Sequence, residues 1–235
     1  MLRIKNLILP IDHTDGQMSD AVARVLSLPT SSIQYINIVR RSIDARSRTT
    51  INYTYTVDVQ IARNQQLPEE ALKHPDVSSA PDTEYKFAVT SSSHRFVRPV
   101  IVGAGPCGLF AALLLSRHGF MPIILERGRP VQERMRDVHA FWKKGRLQPE
   151  SNALFGEGGA GAFSDGKLNT QIKDRENRRQ FILSELVAAG APEEIGYENH
   201  PHIGTNLLIK VIGKLRETII KIGRASCRER VSVVV

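Results

Sequence analysis

The sequence predicts an α/β chain in which a parallel βαβ unit follows a small α+β leader. Three observations predict it. Ile51–Ile61 alternates apolar and polar residues with a strict period of two. Pro99–Ala112 runs from a short apolar strand through Gly103-Ala104-Gly105-Pro106-Cys107-Gly108 into a helical pattern. A second apolar strand, Pro122–Leu125, then ends in Glu126, about twenty residues past the glycines, the spacing of a dinucleotide-binding turn.

In chain order, Leu2–Leu9 reads as a strand, and Met18, Ala21, Val22, Val25 and Leu26 fall on one helical face. Ile33–Val39 and Ile51–Ile61 read as two further strands, the second with one buried face. A polar stretch with Pro68, Pro75 and Pro81 interrupts the pattern, and Glu84–Val89 is expected to return one more strand to the same sheet. The leader is therefore expected to span residues 1–92, with the boundary near Ser91–His94. Its most basic segment, Arg40–Arg48, is expected to be a solvated loop joining two strands. Nucleic-acid binding there is disfavoured because no aromatic residues interleave with the charges to stack bases.

The glycine turn opens a domain expected over residues 93–221. Gly103 permits the tight turn, Gly105 lets the backbone approach a pyrophosphate, and Gly108 lets the helix pack closely on the sheet. Pro106 suits the first helical position because its missing donor would be unpaired there anyway, and Gly119 marks the helix end. Free N–H groups of the first helical turn face phosphates. Glu126 can accept hydrogen bonds from ribose hydroxyls and disfavours a 2′-phosphate, so NADP is an unfavoured occupant. FAD and NAD both remain open for this turn, since the carboxylate serves either adenosine ribose. Cys107 lies inside the turn without a partner cysteine nearby and reads as a small packing residue.

Asn152–Leu168 has too many glycines for a helix or strand interior, and its interspersed Phe155, Phe163 and Leu168 argue against a flexible linker. Such a loop presents backbone N–H groups to a ligand, which makes Gly158, Gly159, Ala160, Gly161 and Ser164 candidate cofactor contacts. Between the two loops, Val131, Met135, Val138 and Trp142 form the apolar stripe of an amphipathic helix, with Trp142 expected in the core. Arg134 lies on another face, either exposed or reaching cofactor phosphates. His200 and His202 have His-x-His spacing, but with no cysteine and only scattered carboxylates nearby a metal site is disfavoured; a plain loop or a site-lining pair remain open.

The formal charge of +8 includes a contribution from Gly223–Val235, where Arg224, Arg228 and Arg230 face only Glu229. With two cysteines, Cys107 and Cys227, there is no disulfide framework and a reducing cytoplasmic setting is expected. The longest apolar run, Leu109–Leu115, is far below the ~20 residues a membrane span needs. The protein is therefore expected to be soluble, with no membrane partner.

Gly103–Ala112, Leu125-Glu126-Arg127-Gly128, Phe155–Leu168 and His200–Thr205 together resemble the bacterial uncharacterised FAD-dependent dehydrogenases, within the NAD(P)/FAD-dependent oxidoreductases. The resemblance covers most of residues 1–221. It implies a Rossmann-like domain with non-covalent FAD, its adenosine half at the first glycine turn, Glu126 and Arg127, and its flavin end near the second loop. Asp165, Lys167 and His202 are then the polar candidates beside the flavin, NAD(P)H is the candidate electron donor, and no substrate follows.

Asn206–Lys221 is expected to be a helix, with Leu208, Val211, Ile212, Leu215 and Ile219 on one side and Thr205 or Asn206 as its cap. Residues 222–235, Ile-Gly-Arg-Ala-Ser-Cys-Arg-Glu-Arg-Val followed by Ser-Val-Val-Val, resemble translated sequencing-adapter sequence and are expected to be non-native. A doubly wound sheet needs further parallel strands, so the βαβ domain is expected to be incomplete, and the 235-residue chain alone to hold little FAD and be inactive as an oxidoreductase.

Overall fold

The computed structural model describes residues 1–47, 49–88, 98–164, 166–168, 170, 172–226 and 233–234. The chain forms two compact units, Met1–Thr83 with Gly196–Pro201, and Glu84–Ile195 with His202–Val235. The boundary expected at Ser91–His94 lies outside the described residues.

In the first unit, strand β1 (Leu2–Pro10) is followed by helix α1 (Asp15–Leu26) and strands β2 (Ile33–Asp44) and β3 (Asn52–Ile61). Helix α2 (Glu69–Lys73) and strand β4 (Val77–Ser79) complete it. The sheet is antiparallel with order β2-β3-β1-β4. Alternation on β3 buries Tyr55, Val57 and Val59 beneath Val22 and Leu26 of α1. A bulge in β1 between Ile4 and Leu7, with Asn6 at φ 53°, resets the side-chain parity so that Ile4, Leu7 and Leu9 all reach the core. Helix α1 starts with a capping box, in which the Gln17 side chain accepts the Thr14 N–H at 2.7 Å and Thr14 Oγ1 accepts the Gln17 N–H.

Two expectations for this unit are corrected. The fourth strand is Val77–Ser79, whereas Glu84–Phe87 carries no strand; Tyr85 and Phe87 belong to the second unit, against Phe181 and His118. Arg40–Asp44 is strand and not loop, because β2 pairs with β3 as far as Asp44↔Asn52. Arg41 is accordingly half-buried, its guanidinium between the Tyr53 and Tyr197 rings and 2.5 Å from Glu198.

The second unit contains strand β5 (Val100–Val102), helix α3 (Pro106–Arg117), strand β6 (Ile123–Leu125) and helix α4 (Val131–Lys144). Helices α5 (Arg178–Ala188) and α6 (Thr205–Ser226) and strand β7 (Val233–Val234) follow. β5, β6 and β7 run parallel in that order. Helix α6 is the hub, packed against α3, α4 and α5, and its Leu208, Ile212, Leu215 and Ile219 share one core with Leu109, Leu113, Ile124 and Leu186. Parallel sheets are covered on both faces elsewhere; here Val102 is 85% exposed.

Helix α6 begins at Thr205 itself, whose hydroxyl donates to the Ser164 carbonyl, and Leu208 N–H closes the first turn on Gly204. Trp142, expected in the core, is 58% exposed. The helical stripe set its face, but α4 buries only Val131, Arg134, Asp137 and Val138. Among the described residues no helix is long and apolar enough to cross a membrane.

Candidate functional site

The site is built where β5 and β6 end. Val100–Val102 pairs with Ile123–Leu125 in register, so the turn after β5 and the acid after β6 emerge side by side. Gly103 N–H continues the ladder to the Leu125 carbonyl at 2.7 Å. The Glu126 carboxylate then joins the two turns, accepting from Ala104 N–H at 2.7 Å and from Gly128 N–H at 2.8 Å. A carboxylate has about four acceptor positions, so two bonds leave capacity for hydroxyl donors.

Gly105 caps α3 and Pro106 is its first residue. Gly108 must lack a side chain, because a Cβ there would lie 2.0 Å from the Gly103 carbonyl oxygen. At Gly105 the constraint differs: a Cβ would meet its nearest heavy atom, Gly159 Cα, only at 4.0 Å. Gly105 and Gly159 approach each other backbone to backbone there, and a Cβ on Gly159 would lie 3.2 Å from Pro106 Cδ and 3.4 Å from Gly105 Cα. Cys107, expected to pack as a small residue, is exposed on the same helical turn.

The second glycine loop lies against the first. Gly158 N–H donates to the Ala104 carbonyl at 2.8 Å, and Ala160–Phe163, which includes Gly161, forms a short 3-10 turn ending at Ser164. Beyond it, Lys167 bridges His202 in antiparallel fashion, and Ile203 N–H reaches the Gly166 carbonyl at 3.1 Å. The structure thus brings Lys167 and His202 together through their backbones. Asp165 lies outside the described residues. An apolar cavity of about 240 Å³ is lined by Leu109, Phe110, Ala162, Leu168 and Ile212, with Ser164 and Lys167 also on its wall.

Two arginines take different places. Arg127 is half-exposed, pairs with Glu150 at 2.9 Å and lies 4.1 Å over the Phe155 ring. Arg134 is 0% exposed, so the exposed-helix expectation is corrected: its donors meet backbone carbonyls of the second loop. Burial pulls its pKa down to about 10, against the opposing charges of Glu126 and Glu157.

Glu157 was not foreseen from the sequence. It is buried, accepts the Val131 N–H at 2.7 Å and pairs with Arg216 at 2.7 Å. Burial pushes its carboxyl above the ordinary range, opposed by the Val131 N–H and by Arg216. With Ala104, Glu126, Gly128 and Gln132, this pair lines a cavity of about 350 Å³. An acid between the glycines of the loop was the one available signal, but its partner stands 59 positions away. Among the described residues no cluster of three or more His, Cys, Asp or Glu could hold a metal ion.

Comparison with known proteins places two family matches on these units. Residues 1–60 match the family described as Domain of unknown function (DUF8436). An "Uncharacterized protein" of Clostridium beijerinckii is 42% identical over 222 residues, covering 94% of this chain and 41% of that protein. The chain therefore spans less than half the length of this relative. Residues 97–138, from β5 into α4 and including Gly103, Gly105, Gly108 and Glu126, match the family described as FAD binding domain.

Proposed function

We propose that the protein is a flavoprotein oxidoreductase holding FAD non-covalently across the two glycine loops. The observation that carries this reading is that the FAD-binding match falls on the segment where Glu126 ties the β6 end to the glycine turn. The residues fit the group: a bare glycine backbone at the start of α3, a carboxylate with acceptor capacity, and a cavity beside it. When bound, FAD supplies hydride or electron transfer, and the protein supplies binding, orientation and electrostatics.

In this reading Glu126 accepts from ribose hydroxyls, the role taken by an acid about twenty residues past the glycines of a dinucleotide turn. The first-turn N–H groups of α3 at Cys107 and Gly108 face the pyrophosphate, where the helix terminus favours negative charge. Gly158–Gly161 lines the path toward the flavin end. Ser164, Lys167 and His202 are the polar groups there, Lys167 as a cation and His202 as a proton carrier at a ring nitrogen. Dehydrogenase chemistry with NAD(P)H as electron donor is the favoured activity. The absorption spectrum of the purified protein tests the reading: bound oxidised flavin gives a yellow protein, bound NAD a colourless one, and a colourless protein that takes up no added FAD would refute it.

A further inference from the structure

Arg134 departs from the usual fate of a helix arginine. Nε donates to the Asn152 carbonyl at 2.7 Å, and Nη2 to Ala153 at 2.9 Å. Nη1 is shared among the carbonyls of Gly156 at 3.2 Å, Glu157 at 2.7 Å and Gly159 at 2.8 Å. The Phe163 ring lies 4.7 Å from the guanidinium carbon. A buried cation is costly unless its donors are satisfied, and here backbone carbonyls satisfy them, while Glu126 and Glu157 stabilise the charge through space. Only a planar five-donor fork can gather carbonyls from so many positions of one loop.

Arg134 ties the second glycine loop to helix α4. The clamped stretch ends where Gly158 N–H meets the Ala104 carbonyl and where Gly159 packs against Gly105 and Pro106. We propose that Arg134 is a positioning residue for the nucleotide, keeping Asn152–Gly159 at a fixed distance from the glycine turn without itself touching the cofactor. This rests on the flavin reading above. Loss of the guanidinium then lets the loop move, and the backbone beside Gly105 is no longer held as the nucleotide needs it.

The test compares wild type with Arg134→Ala and Arg134→Lys on the whole chain, using FAD as the probe. Amide hydrogen exchange over 152–159 is measured without FAD, and the FAD dissociation constant by quenching of flavin fluorescence. Both variants should speed exchange in 152–159 while leaving β3 unchanged, and should weaken FAD by about tenfold or more, the worth of at least one charge-assisted hydrogen bond. Methylguanidinium should restore both properties in Arg134→Ala. Should Arg134→Ala fail to fold, Arg134→Lys carries the comparison, since an ammonium offers three donors at one point and cannot span the loop. Faster exchange with unchanged FAD affinity would overturn the proposal. So would lost affinity with unchanged exchange, the signature of a direct phosphate contact. A wild-type protein that binds no FAD yet shows the exchange effect would refute the flavin reading, and the nucleotide role with it, while leaving the clamp as loop architecture.

Discussion

The Glu126 carboxylate accepts the Ala104 N–H at 2.7 Å, so the acid at the end of β6 braces the glycine turn at the end of β5. One side chain thus serves the fold and the proposed ribose site together, and the two roles can be separated. Glu126→Ala should weaken FAD by about 1.5–3 kcal/mol, the worth of hydrogen bonds to a charged group. It should also destabilise the second unit, because Ala104 is buried and loses its acceptor. Titration of the apo protein with FAD, alongside urea unfolding, checks both; an unchanged dissociation constant would remove Glu126 from the site.

Gly105 and Gly108 should separate in the opposite way. Alanine at Gly108 collides with the Gly103 carbonyl and should destabilise the protein by roughly 1–3 kcal/mol, as overpacking does. Alanine at Gly105 meets nothing closer than 4.0 Å, so thermal stability without FAD should be nearly unchanged while FAD affinity falls. Equal losses of stability in both variants would contradict this difference between the two glycines.

Glu157 gives a pH signature. Burial raises its carboxyl above the ordinary value of 4.5, so the folded protein holds more protons than the unfolded chain between that value and the folded one. This contribution to stability is fully present below the unfolded value and is lost as pH rises through the folded value. Glu157→Gln removes the titration. The urea midpoint of wild type should therefore fall more steeply, or rise less, with pH across this window than that of Glu157→Gln; the reverse difference would contradict the assignment.

In the first unit, Arg41→Ala removes a guanidinium 5.0 Å from the Tyr53 ring and 5.1 Å from the Tyr197 ring. Segment 196–201 should loosen by about 2 kcal/mol, from two cation–π contacts and one charged hydrogen bond. Hydrogen exchange should accelerate at Tyr197 and Glu198 and hardly at β3. Uniform acceleration through the unit would mean that Arg41 supports the whole sheet.

The βαβ unit was legible because its signals are local: glycine spacing, Pro106, two short apolar strands and Glu126 lie within one stretch. The leader was legible from the alternation of β3 and the helical stripe of α1. β4 was missed because three residues, Val77–Ser79, are too short for alternation to show. Arg134 was misplaced for a different reason: its partners are carbonyls 18 to 25 positions away, and a carbonyl leaves no mark on residue identity. Trp142 sat on the stripe that periodicity defined, but periodicity does not say how far along a helix its cover extends.

The central claim is that the two glycine loops hold a flavin dinucleotide, and the most direct measurement is FAD titration of the protein beside its Gly105→Val variant. The complete protein, carrying its continuation past Lys221, should saturate at about one FAD per chain, with the flavin spectrum perturbed on binding, while the valine side chain occupies the space the pyrophosphate needs and abolishes uptake. Saturation at the same ratio and affinity in both proteins would place the flavin elsewhere and contradict the account.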